Sequence, residues 1–249
     1  MSPSRSSGSS ARAFSSSIDL TAEHLPPLRP RPTSARGRLL SLIPGVRSVR
    51  AQIRPYADAW YRSNVAALER SEALWLVLGD STAQGIGASA FDRGWVGQLR
   101  ELMAAEGHAW RVINLSQSGG RVRDVLDDQL PLADRLGLEP ALITVAVGAN
   151  DLRPSRRDGL EPGLEQLTAM LPARTVIGTI PGRPKTVAPF NELIRQWSAR
   201  HALRVAETGS SITPPWRGKL ASDWFHPNDV GYAMWARAFA NALEVDGSG

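Results

Sequence analysis

Between Ala73 and Ser81 the chain reads ALWLVLGDS, and this stretch decides the fold. Six apolar residues, Ala73–Leu78, make a run too short for a helix and too continuous for a half-exposed strand. That is the signature of a strand buried on both faces. A glycine, an acid and a serine follow it at once. Outward from this point short apolar runs alternate with helical patterns. Trp95–Glu106 places Val96, Leu99 and Met103 on one face, and Arg111–Leu115 (RVINL) reads as a second strand. A helix over Arg123–Leu136 leads to a third strand, Ala141–Val147 (ALITVAV), and then to a helical pattern near Gly163–Leu171. Thr175–Ile180 is the fourth strand, Phe190–His201 a helix, Arg204–Ala206 a short fifth strand and Val230–Leu243 the last helix. Such alternation predicts a three-layer α/β/α sandwich around a central parallel sheet of about five strands.

Composition narrows the chemistry. The chain has 249 residues, 42% hydrophobic and 21% charged, enough for one domain with an extension. It has no cysteine and only four histidines, which excludes disulfide scaffolds, thiol nucleophiles and thiolate metal sites. No organic cofactor or metal is implied. The net charge of +5 is unevenly spread: residues 1–70 hold 11 Arg against 4 acids, whereas the remainder is slightly acidic. The body therefore lacks a nucleic-acid groove, and no nucleic-acid partner is expected.

Three regions are expected. Residues 1–35, rich in Ser, Arg and Pro, read as a disordered tail whose removal leaves turnover nearly unchanged. Residues 36–70 read as a basic amphipathic helical extension, with Pro55 starting or kinking a helix. Its stripe of Val46, Val49, Ile53, Tyr56, Trp60 and Ala67 suits weak peripheral contact of residues 46–69 with an anionic membrane, or docking on the following domain. Docking is favoured, because the segment runs directly into the first strand. Residues 71–245 form the α/β domain. The start of the chain shows no secretory signal and no apolar run spans a bilayer, so a cytoplasmic location is expected.

In an open α/β sheet, sites form where strands end. There stand Gly79-Asp80-Ser81 after strand one, NLSQSG at 114–119 after strand two and Gly148-Ala149-Asn150-Asp151 after strand three. Asp223-Trp224-Phe225-His226-Pro227 precedes the last helix. Each has a plain reading: Ser81 as a helix cap, Asn150-Asp151 as a turn, Asp223 as a turn cap, His226 as a loop residue. Taken together they read as a nucleophile (Ser81), a base (His226) and an acid orienting the base (Asp223). The backbone N–H groups of Ser81 and Gly119 and the amide of Asn150 would receive an oxyanion. Asp80 and Asp151 are expected to hydrogen-bond loop backbone and hold the site's shape.

These segments resemble, in order and spacing, the four blocks of the SGNH hydrolases, the GDSL-type esterases and lipases. GDS at 79–81, SG at 118–119, GAND at 148–151 and DWFHP at 223–227 carry the resemblance, over residues 73–243. Thr82 departs from the hydrophobic residue often found after the serine. The resemblance implies a flavodoxin-like fold and hydrolysis of a small-molecule or lipid acyl ester. Short-chain carboxylic esters are the first expectation, with an acetyl-carbohydrate deacetylase or lysophospholipase as alternatives. A non-catalytic binding protein on the same fold is the alternative of another class. The G-x-G-x-x-A match at Gly85–Ala90 lies too far past its strand for a dinucleotide fingerprint. Around the site, Trp216, Trp224 and Phe225 line a pocket or pack structurally, and the segment Gly182–Pro189 is expected to be a loop.

Overall fold

The computed structural model describes residues 25–32, 42–153 and 155–244. Five parallel strands form one sheet in the order β2-β1-β3-β4-β5. They are β1 Ala73–Gly79, β2 Trp110–Asn114, β3 Leu142–Ala146, β4 Val176–Gly178 and β5 Arg204–Ala206. The two-residue period of β1 divides the core. Leu74, Leu76 and Leu78 point into one apolar cluster, and Trp75 and Val77 into the other.

Helix α1 (Pro44–Ala51) and helix α2 (Ile53–Leu68) precede the sheet. Helix α3 (Trp95–Ala105) follows β1, and α4 follows β2 over residues 122–135, with a π-turn at Val125–Gln129. Then come α5 (Leu160–Met170), α6 (Pro184–Arg200), the short α7 (Thr208–Ser211) and α8 (Asp229–Glu244). Val122 and Leu126 of α4, Leu160 and Leu164 of α5 and Ile194 of α6 cover one face of the sheet. Trp95 of α3 stacks on Phe239 of α8 over the other face, with ring centroids 4.1 Å apart. The sheet is thus sandwiched between two helical layers.

Helix α2 closes an edge. Strand β2 bonds only to β1, which leaves backbone groups of its outer side open. Asn64 occupies that position: its amide donates to Asn114 O and its carbonyl accepts from Asn114 N, both at 2.8 Å. A side-chain amide so takes the place of a neighbouring strand. The stripe expected to meet a membrane or the domain faces the domain: Val49, Trp60 and Ala67 are buried and Val46, Ile53 and Tyr56 half-buried.

Three expectations need correction. The chain breaks between helices at Gln52, not at Pro55, which lies in the first turn of α2 where a missing N–H costs nothing. The segment 182–189 is not a loop: Pro184 begins α6 and Pro189 sits inside it, its lost hydrogen bond tolerated near the helix start. Residues 25–32 are not loose either. Leu25 is buried, Arg31 N–H donates to Ser118 O at 3.0 Å, and Gln117 Nε2 donates to Arg29 O at 2.7 Å. Contact with the body supplies the apolar burial that this Pro- and Arg-rich stretch lacks by itself. The rest of the expected tail, 1–24 and 33–35, lies outside the described residues.

Candidate active site

Strand β1 delivers Gly79, Asp80 and Ser81 to the carboxyl edge of the sheet. The turn needs glycine: φ at Gly79 is +144°, and a Cβ there would stand 2.2 Å from Ala146 O. The Gln129 side chain clasps the same residue, accepting from Gly79 N at 2.8 Å and donating to Gly79 O at 2.9 Å. Asp80 Oδ1 accepts from Thr82 N at 2.9 Å and Thr82 Oγ1 at 2.7 Å, so Thr82 fixes the turn that presents Ser81. Burial raises the Asp80 carboxyl above the usual carboxylate range, against the opposing bonds from Thr82.

Ser81 Oγ lies 3.0 Å from His226 Nε2, and His226 Nδ1 lies 2.6 Å from Asp223 Oδ2. One hydrogen-bonded chain joins hydroxyl, imidazole and carboxylate. Asp223 also caps its own turn, with Oδ1 accepting from Phe225 N at 3.0 Å and His226 N at 3.1 Å. The capping role and the orienting role are carried by different oxygens of one carboxylate. Burial works against the Asp223 charge, but the His226 contact and these N–H bonds outweigh it and hold the carboxyl below its usual range.

The Gly119 loop lies beside Ser81. Gly119 has φ +79°, and among the described residues neither its N–H nor that of Ser81 finds an acceptor. Both donors thus remain available to a ligand oxygen. Asn150 lies in the turn after β3; its Nδ2 donates to Gly120 O at 2.9 Å and stands 3.5 Å from Asp80 Oδ2. Asp151 Oδ2 accepts from Val122 N at 3.1 Å, tying the β3 turn to the start of α4. Burial pushes the Asp151 carboxyl up to about 6 against that bond, and the nearby Asp124 and Asp80 add to the rise. Ser81, Asp223, His226, Asn150, Asp80 and Asp151 are thus linked by hydrogen bonds or chain neighbours at one edge, with the Gly119 loop bonded to Asn150 through Gly120. Asp80 and Asp151 bond loop backbone there.

Other residues that build the site carry no motif. Gln84 donates to Ser116 O at 2.8 Å and accepts from Ser118 Oγ at 2.6 Å, joining the Ser81 loop to the Gly119 loop. The extension holds the same loop: Trp60 Nε1 donates to Gln84 O, and Tyr56 Oη and Gln52 Nε2 both donate to Ala88 O. Gly87, with φ +102°, packs directly under the His226 turn. The glycine itself is the sequence signal that could have revealed this close backbone approach, which is toward a histidine. Trp224 and Phe225 flank His226 and stay largely exposed, and the Phe225 ring meets the imidazole edge-on at 4.9 Å. No group of three or more His, Asp or Glu among the described residues is placed to hold a metal ion. No helix among them is long and apolar enough to cross a membrane.

Comparison with known proteins matches residues 77–234 to the family described as GDSL-like Lipase/Acylhydrolase. Esterase TesA of Pseudomonas aeruginosa is 38% identical over 78 residues, a match spanning 30% of this chain and only 36% of that relative. Among solved structures, the psychrotrophic esterase EstA from Pseudoalteromonas sp., inhibited by monoethylphosphonate, is similar with a TM-score of 0.59. Its identity is 22%, over 72% of this chain and 100% of that one. The acetylxylan esterase Axe2 from Geobacillus stearothermophilus gives a TM-score of 0.56 at 20% identity, over 70% of this chain and 94% of that one. These structural likenesses concern the fold.

Proposed function

The chain belongs to the GDSL-like lipase/acylhydrolase family, and from that premise we propose that it hydrolyses carboxylic esters through an acyl-enzyme on Ser81. One observation carries the proposal: Ser81 Oγ stands 3.0 Å from an imidazole whose other nitrogen is 2.6 Å from the Asp223 carboxylate. His226 Nε2 takes the hydroxyl proton as Oγ attacks the acyl carbon, while Asp223 keeps the proton on Nδ1 and stabilises imidazolium. The carbonyl oxygen becomes an oxyanion held by the Ser81 and Gly119 N–H groups. Asn150 adds a third donor by turning the hydrogen of its long Asp80 contact toward that oxygen. His226 then gives its proton to the departing alcohol. Water repeats the sequence, releasing the acid and restoring Ser81.

Short acyl chains are the proposed substrates: Trp224 and Phe225, just before His226 in sequence, are 67% and 57% exposed and offer an open apolar surface rather than an enclosed tunnel. The test is turnover of p-nitrophenyl esters from acetate to palmitate by the protein and its Ser81→Ala variant. We expect a maximum at short chains and a loss of about 10⁴-fold or more in the variant. Equal activity in both would overturn the serine assignment; a maximum at long chains would overturn the chain-length assignment.

A further inference from the structure

Four guanidinium groups gather beside the Gly119 loop. Arg31, brought there by residues 25–32, donates from Nη2 to Asp124 Oδ1 at 2.6 Å. It lies directly on the loop, since a Cβ added to Gly119 would touch Arg31 Cβ at 3.4 Å. Arg121 follows Gly120, its Nε 3.8 Å from Asp124 Oδ2 and buried without a hydrogen-bond acceptor among the described residues. Arg153 and Arg156 stand on the loop after Asp151, coiled by bonds from Arg156 N and Arg157 N to Arg153 O at 2.9 and 3.1 Å. The Asp151–Val122 bond clamps that loop against the Gly119 side of the site. Among the described residues, no side-chain hydrogen bond or ion pair is formed by Arg153 or Arg156.

These charges sense one another. Burial, then repulsion from Arg121, Arg153 and Arg31, draws the Arg156 guanidinium below its usual range. Two carboxylates, Asp124 and Asp151, stand among the four cations, and Asp151 is itself drawn toward protonation. Asp124 faces both Arg31 and Arg121, and Asp151 acts on Arg121 and Arg156, so two carboxylates at most stand against four guanidiniums and positive charge is left over. The cluster adjoins the proposed oxyanion donors through Arg31, which lies on Gly119, and through Arg121, which follows Gly120, whose carbonyl accepts from Asn150. A surplus of positive charge beside the proposed oxyanion donors fits a ligand that brings the missing negative charge.

We infer that the ester substrate carries an anionic group, a phosphate or a carboxylate, which Arg31, Arg121, Arg153 and Arg156 hold beside the Gly119 loop while the acyl carbon faces Ser81. The inference rests on the ester-hydrolase reading and names the substrate class for that same site.

Two measurements test it on the full chain, using Arg153→Gln/Arg156→Gln and a control of equal charge loss elsewhere, Arg100→Gln/Arg200→Gln. The first is calorimetric binding of inorganic phosphate at low salt. The second compares kcat/KM on ethyl 4-acetoxybenzoate, 4-acetoxybenzoate and 4-acetoxyphenyl phosphate, which share an acetyl group and differ in charge. We expect phosphate to bind the unaltered protein and the control, and at least about tenfold more weakly the Arg153/Arg156 variant. The ratio of anionic to neutral kcat/KM should fall by about the same factor, and the better anionic ester distinguishes phosphate from carboxylate. Equal phosphate binding by all three proteins, an unchanged ratio, or an equal loss in the control would overturn the inference. Ser81-dependent turnover without charge preference leaves the esterase reading standing and removes this one. Phosphate binding lost only in the Arg153/Arg156 variant, without turnover of any ester, overturns the esterase reading and with it the substrate assignment, and leaves an anion site alone.

Discussion

Gly87 and His226 are in direct contact: a Cβ added to Gly87 would stand 2.7 Å from His226 Cβ and 2.4 Å from Pro227 O. The backbone of the serine loop thereby presses against the turn that carries the imidazole. Gly87→Ala must push the two apart, because the contact is backbone on one side and the φ of +102° disfavours any side chain. We expect a folded protein whose kcat drops on the order of 10²-fold, with KM little changed. Unaltered kcat on p-nitrophenyl acetate would show that the Ser81–His226 distance is not set there.

Asp223→Asn keeps an oxygen for the N–H groups of Phe225 and His226 but removes the charge facing His226 Nδ1. The turn should survive while turnover falls about 10³–10⁴-fold. Circular dichroism and kcat measured together check this; a loss of under tenfold would assign Asp223 to the turn alone.

Asn64→Leu fills similar space but deprives Asn114 of both backbone partners at the edge of β2. Two buried polar groups left unpaired cost about 2–4 kcal/mol. A chain of this length should lose roughly 5–10 °C in melting temperature. A melting temperature within a degree of the original would mean that water replaces the amide.

The Asp151 carboxyl titrates near pH 6 in the folded protein, above the value of an exposed carboxyl. The folded state therefore holds its proton more tightly than the unfolded state, and this group's contribution to stability declines as pH rises from about 4 to 6. Above that window the buried charge costs up to about 3 kcal/mol. Asp151→Asn should raise the melting temperature at pH 8 and leave it nearly unchanged at pH 4. A gain of equal size at both pH values would refute the charge argument.

Removing residues 1–35 takes Leu25 from its buried place and Arg31 from the enclosed Asp124 carboxylate. Against the expectation of a dispensable tail, stability should drop by about 2–4 kcal/mol. Urea denaturation of the shortened chain would settle the point; an unchanged midpoint would restore the tail to that status.

The strands and their order of use were legible because burial on both faces writes continuous apolar runs such as ALWLVL and ALITVAV. Ser81 and Asn150 stood out because they follow strand ends, where an α/β sheet puts its sites, and Asp223 and His226 because a carboxylate three residues before a histidine can reach its imidazole. What stayed hidden was partnership across space. Asn64, Gln84 and Gln129 look like ordinary polar residues, and only the fold brings each to a backbone over thirty residues away. Pro- and Arg-rich composition concealed residues 25–32, whose order comes from contact with Ser118 and Asp124 rather than from local preference. Pro189 misled likewise, since one lost bond is small beside the burial of Val187, Ile194 and Trp197 on the same helix.

Ser81 and His226 are separated by 145 residues, and the imidazole arrives just before the last helix. On the proposed mechanism, the serine emerges from the ribosome well before its base and stays an ordinary alcohol until the segment carrying His226 has been made. Loop closure over that distance is slow and comes late in folding. If His226 is the base, chains that stop short of it carry no activated nucleophile, and reactivity has to wait for folding across those 145 residues.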